Sequence, residues 1–115
     1  MKIRTFDFWI YVMTNPGMRV LYTGVTNDLV RRMAEHTEAA LNGSRTFTGK
    51  YNVRHVIYFE YFSHIDDAIG REKEIKGWGR KKKESLIAQA NPSWIFLDEM
   101  IRTGEVDIAL LLRLV

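Results

Sequence analysis

Apolar positions along this chain fall into three extended blocks and several blocks with helical spacing. Phe8, Ile10 and Val12 alternate with Trp9, Tyr11 and Met13, all residues that favour strands. Asn15-Pro16-Gly17 follows, with a proline that fixes φ and a glycine that accepts positive φ. The extended pattern resumes from Val20 to Val25, so these segments predict an antiparallel hairpin centred on Pro16-Gly17. Thr26 or Asn27 can cap a helix that starts near Asp28, carries Leu29, Val30, Met33 and Thr37 on one face, and ends before Gly43. Gly43 to Asn52 reads as a polar, glycine-punctuated loop. Val53 to Phe62, dense in Val, Ile, Tyr and Phe, is the third predicted strand.

Further along, Ser63 with Asp66 three residues later resembles a capping signal, and Ile65, Ala68, Ile69 and Ile75 carry helical spacing from His64 onward. Gly77 and Gly79 around Trp78 end or bend that helix. A second helix from Arg80 to Ala90 stops at Asn91-Pro92, and the apolar tail from Trp94 to Val115 predicts further helix broken at Gly104.

Composition narrows the class. A chain of 115 residues allows one core, and 46% hydrophobic with 27% charged residues is too apolar and too weakly charged for a disordered chain. With no cysteine there is no disulfide framework, thiolate zinc site or cysteine nucleophile, which fits a reducing compartment. The apolar run from Phe8 to Met13 is far shorter than the ~18 residues that span a bilayer. Although Lys2 and Arg4 give a faintly signal-like start, Asp7 interrupts it, so the expected location is cytoplasmic and no membrane partner is expected. The net charge is only +3, but residues 71–83 hold seven basic and two acidic side chains, against ten basic and twelve acidic elsewhere. That clustering suits a polyanion, or else a solvated helix face.

Three groups carry candidate chemistry. Tyr11 and Tyr22 are symmetric about Pro16-Gly17 and would face each other on one side of the sheet, either as converging phenols or as ordinary cross-strand packing. Arg32 and His36 lie together at the edge of the helix's apolar arc, where arginine can grip a phosphate and imidazole can exchange a proton; the simpler reading is a boundary pair with snorkelling stems. Glu72 falls near the middle of the Ile65, Ala68, Ile69, Ile75 stripe, whereas Glu74 points the opposite way. A carboxylate there is costly unless it binds a metal or pairs with a lysine or arginine. His55 and His64 have no metal-cluster spacing and read as structural.

Trp9-Ile10-Tyr11, Tyr22-Thr23-Gly24, the helix with Arg32 and His36, then Glu72 and Asn91, in this order, resemble the GIY-YIG nuclease domain. The resemblance covers roughly residues 7–97 and leaves 98–115 as a helical C-terminal extension of a single 1–115 domain. It is strongest to small standalone bacterial members, relatives of the nuclease domain found in the excinuclease of DNA repair. It implies an α+β fold with a three-stranded antiparallel sheet flanked by helices. It also implies metal-dependent hydrolysis of DNA phosphodiesters, with Mg²⁺ or Mn²⁺ as cofactor. Residue by residue it assigns Tyr11, Tyr22, Arg32, His36 and Asn91 to catalysis and Glu72 to the metal. Trp9 stands where the first motif has glycine, and Asn91 follows through a segment of variable length.

Lys73, Arg80, Lys81, Lys82 and Lys83 are the candidate nucleic-acid contacts. The expected partner is DNA, with RNA left open. The alternative from another class is a nucleic-acid-binding module of the same fold that no longer cuts. A third is a protein-interaction domain, including a homodimer, that uses Ile108 to Leu112 of the tail.

Overall fold

The computed structural model describes residues 7–43 and 45–104. Three strands, β1 (Phe8–Thr14), β2 (Leu21–Thr26) and β3 (His55–Phe62), form one antiparallel sheet in the order β2-β1-β3. The helices are α1 (Leu29–Leu41), α2 (Phe47–Lys50), α3 (Ile65–Lys76), α4 (Arg80–Ala90) and α5 (Asp98–Thr103). The α+β class and three-stranded sheet predicted from the sequence are thus present. Among the described residues, no helix is long and apolar enough to cross a membrane.

The central strand explains its own composition. Ile10 to Met13 are all essentially inaccessible because both faces of β1 are covered, so the strand reads as a continuous apolar run. On one face Tyr11 and Met13 pack with Leu29 and Met33 of α1, with Val53, Val56 and Phe59, and with Ile101 of α5. On the other, Ile10, Val12, Ile57 and Tyr58 pack with Ala68 and Ile75 of α3 and Ile87 of α4. The register of β3 against β1 shifts between Val12 and Met13, which leaves Ile57 as an extra residue in β3. Ile57 and Tyr58 therefore share the second face without alternating.

The hairpin register differs from the one predicted. Thr14 pairs with Leu21, Met13 with Tyr22 and Tyr11 with Gly24, so Tyr11 and Tyr22 share a face but do not stand directly opposite each other. The cause is the side chain of Asn15. Its Oδ1 accepts hydrogen bonds from Arg19 N (2.8 Å) and Val20 N (3.2 Å), while Met18 N donates to Asn15 O (2.9 Å). These bonds draw Met18 into the left-handed region (φ 58°) and lengthen the turn beyond Pro16-Gly17. A shift of two residues preserves the face, which one residue would have reversed.

Other boundaries also move for local reasons. Asp28, rather than Thr26 or Asn27, caps α1 by accepting from Arg31 N. His64, not Ser63, precedes α3, and it makes no side-chain cap. The stretch read as loop from Gly43 to Asn52 contains α2, whose N-cap Thr46 accepts from Gly49 N at 3.2 Å. On α1, Val30 is exposed and His36 takes the buried place. On α3, Ile65 is exposed, and the stripe is held by Ala68 and Ile75.

The tail begins as expected, with α5 ending at Gly104 (φ 77°), and is fastened by Asp98. One Asp98 oxygen accepts from Val56 N (2.7 Å), and the other meets His55 Nδ1 (2.7 Å), whose ring stacks flat on Phe96 at 3.9 Å. His55 is thus structural, as its spacing suggested. The predicted helix beyond Gly104 and the Ile108 to Leu112 contact lie outside the described residues.

Candidate active site

The sheet face that carries α1 brings together four of the expected residues from three elements. Tyr11 comes from the centre of β1 and Tyr22 from β2, with ring centroids 6.3 Å apart. The Tyr11 ring lies across Gly24, its partner in the ladder. A Cβ on Gly24 would stand 2.5 Å from Tyr11 Cζ and closer still to the hydroxyl, so only glycine fits. His36 reaches down from α1 with its ring centroid 5.7 Å from Tyr11 and 5.3 Å from Tyr22.

Both nitrogens of the buried His36 are used. Nε2 is 2.9 Å from the Tyr11 hydroxyl and Nδ1 is 3.0 Å from Thr48 Oγ1 of α2. When Nδ1 donates to Thr48, Nε2 is left as the acceptor for Tyr11. Burial, reinforced by the neighbouring Arg32 charge, lowers the His36 pKa to about 4, so the ring is neutral near pH 7. Burial pushes the Tyr11 hydroxyl up to about 12, against the opposing pull of Arg32. Arg32 is partly buried; its Nη1 holds Glu35 at 2.8 Å, and the guanidinium also reaches the Tyr11 hydroxyl, contacts that keep it charged beside the tyrosines.

The low His36 pKa carries a stability prediction. Because the unfolded ring binds protons more readily than the folded one, His36 contributes stability that is present above its ordinary value near 6.5 and is lost as pH falls through about 4. Denaturant titrations of wild type and His36→Asn at pH 7 and pH 4 should show wild type losing up to about 3 kcal/mol more than the variant. Equal losses would contradict a buried neutral imidazole.

Glu72 stands on α3, which packs on the opposite sheet face and contacts both β1 and β2. Its side chain is 13% exposed, and Oε2 is 2.6 Å from Lys76 Nζ. Lys76 in turn lies 6.0 Å from the centroid of the Tyr22 ring, so the carboxylate connects to the tyrosine cluster through this lysine. The partner lysine is half exposed, so Glu72 is not locked in a buried ion pair. No group of three or more His, Cys, Asp and Glu residues that could cage a metal occurs among the described residues. A single, partly accessible carboxylate fits Mg²⁺, which takes few protein ligands and keeps several waters.

Two sequence-based assignments meet difficulty. Asn91 is buried at the end of α4, where Nδ2 donates to Ile57 O and Ile95 O (both 2.9 Å) and Oδ1 accepts from Ile95 N (3.0 Å). Its amide is committed to backbone, on a helix packed against the other sheet face, so the catalytic assignment gives way to a structural one. Within the basic segment, much of the charge is internally paired. Arg71 grips Glu60 with two nitrogens and also meets Glu74, while Arg80 binds Glu84 and the carbonyls of Met18 and Arg19. Lys82 lies 4.4 Å over the Trp78 ring. Lys73 and Lys81 are exposed and Lys83 is partly so.

Thr48 was missed by sequence reasoning, as were Phe47 of α2 and Tyr51, its C-cap. Phe47 stacks on Tyr22 (5.9 Å, 29°) and touches Tyr51 (4.8 Å). A pair of aromatics four apart, in a stretch otherwise polar, was the available signal.

Paired tyrosines, a histidine and an arginine over one sheet face of an antiparallel α+β domain, with a carboxylate helix beside it, are the arrangement that the motif resemblance implies. Residues 7–85 match the family described as the GIY-YIG catalytic domain. The chain belongs to the GIY-YIG family, a nuclease family. It is similar to a UPF0213 protein of Natronomonas pharaonis (38% identical over 82 residues, 71% of this chain and 92% of the relative) and to one of Haloquadratum walsbyi (41% over 69 residues, 60% and 74%). A UPF0213 protein of Bacillus halodurans with a solution NMR structure is 28% identical, with 71% of this chain and 83% of that one covered at a TM-score of 0.45.

Proposed function

We propose that this protein is a Mg²⁺- or Mn²⁺-dependent endonuclease that hydrolyses DNA phosphodiester bonds. The observation that carries this reading is the convergence of Tyr11, Tyr22, His36 and Arg32 on one sheet face. Arg32 is suited to hold the non-bridging oxygens of the scissile phosphate and to neutralise charge that grows there in the transition state.

The proton route follows from the Tyr11–His36 bond. Free phenolate is scarce near neutral pH because burial raises Tyr11. As the attacking water forms its bond to phosphorus, its proton passes to the Tyr11 oxygen while the Tyr11 proton moves onto Nε2 of His36. The phosphorus–oxygen bond to the leaving strand breaks, and the departing oxygen takes a proton from solvent. Thr48 holds the imidazole in the tautomer that can accept. Tyr22, the more accessible phenol, lines the approach. A divalent ion held by Glu72 would supply Lewis-acid polarisation of the phosphate and stabilise the leaving oxygen.

End-labelled duplex, single-stranded, flapped and branched DNAs, incubated with Mg²⁺ or with chelator, test this reading. Cleavage that requires the metal is expected. Binding without any metal-dependent cutting across the set would favour the inactive nucleic-acid-binding module.

A further inference from the structure

Helix α2 does two things at once. Thr48 faces inward and braces His36, while Phe47 and Tyr51, one turn apart, face outward and are 48% and 43% exposed. Large aromatics left half in solvent are unfavourable without a partner, and these two extend a continuous row: Tyr11 to Tyr22, Tyr22 to Phe47, Phe47 to Tyr51. The row leads from the buried hydroxyl at the candidate active site to the surface. Its surroundings are cationic. Residues 43–54 contain Arg45, Lys50 and Arg54 and no acidic residue. Lys50 Nζ lies 5.4 Å from the Tyr51 ring centroid, and Arg45 and Lys50 border an open hollow of about 540 Å³.

Aromatic faces bordered by cations match a nucleic-acid strand whose bases stack while its phosphates meet lysine and arginine. In duplex DNA the base faces are already covered by neighbouring pairs, so such a shelf can engage only an unstacked base. We infer that Phe47 and Tyr51 form a stacking shelf for a single-stranded DNA segment beside the scissile phosphate, with Lys50 and Arg45 on its backbone. This rests on the nuclease reading for its link to cleavage, and it narrows the substrate class to DNA that is single-stranded next to the cut.

The test separates binding from cutting. Affinities of wild type, Phe47→Leu, Tyr51→Leu and Tyr51→Trp for a short labelled thymidine strand and for a blunt duplex are measured by fluorescence anisotropy in chelator, across a salt series. Each leucine variant should bind the single strand about 5- to 150-fold more weakly, the range expected for one lost base–aromatic stack. Duplex affinity and the salt slope should stay at wild-type values, since no charge is removed. Tyr51→Trp should retain single-strand binding. Tyr51 touches only the outer end of the row, so its variants also answer for any disturbance that Phe47→Leu transmits to Tyr22. Unchanged single-strand binding in the leucine variants, equal losses on both DNAs, or recovery of tight binding only by a protein partner would overturn the shelf. If wild type and Tyr51→Leu cut duplex equally in Mg²⁺ and bind the single strand equally, the shelf fails and the nuclease reading stands. If Tyr51 governs single-strand binding and nothing is cut, the shelf stands and the nuclease reading fails.

Discussion

Replacing Gly24 with alanine should cost this protein both stability and its candidate activity. Gly24 is the ladder partner of Tyr11, and a Cβ there would lie 2.5 Å from Tyr11 Cζ and 3.0 Å from Cε1. The ring has nowhere to go, because Tyr11 is fully buried among Met13, Met33 and Phe59. Overpacking of this kind costs roughly 1 to 3 kcal/mol, and the ring can relieve it only by leaving His36 Nε2. Thermal denaturation should show a clear loss, and cleavage should fall at least as far as in Tyr11→Phe, which deletes only the hydroxyl. A Gly24→Ala protein as stable and as active as wild type would mean that the Tyr11 ring does not lie across Gly24.

Neighbouring arginines on α1 should behave in opposite ways. Arg31 is more than half exposed, with Asn27, Asp28 and Glu35 as partners, whereas Arg32 points toward the tyrosines and is felt by the Tyr11 hydroxyl. If Arg32 stabilises charge that develops on the phosphate, Arg32→Ala should lower kcat by about 10²- to 10³-fold, the usual cost of removing one such donor. Arg31→Ala should remain close to wild type, because exposed ion pairs contribute little. Equal effects from the two substitutions, measured as kcat and KM on the best-cut DNA, would remove Arg32 from the chemistry.

Much of this could be read along the chain because strong local patterns agreed with the fold. The Phe8 to Met13 run read as a strand, and the glycines around Trp78 with Asn91-Pro92 set the ends of α4. That Tyr11 and Tyr22 share a face also followed, although their register did not, because a single Asn15 side chain reshapes the turn. His36 looked like a boundary residue since a helical wheel counts imidazole as polar. Tyr11 and Thr48 satisfy both of its nitrogens and allow it inside. Four-residue α2 has too little sequence to show a period; Thr46 capping and the Thr48–His36 contact position it, and the second of these is tertiary. Asn91 came through motif order alone, and order does not distinguish a residue that fastens backbone from one that reaches substrate.

Metal-dependent cleavage stands or falls on Glu72. Its partner Lys76 is half in solvent, so losing the pair should change stability by no more than about 1 kcal/mol. Glutamine keeps the volume and removes the charge that would attract a divalent ion. The direct measurement is cleavage of the best-cut labelled DNA by Glu72→Gln in Mg²⁺, beside its DNA affinity in chelator. Cutting should collapse while affinity and folding persist. A folded Glu72→Gln protein that cuts in magnesium as fast as wild type would contradict a metal held by this carboxylate.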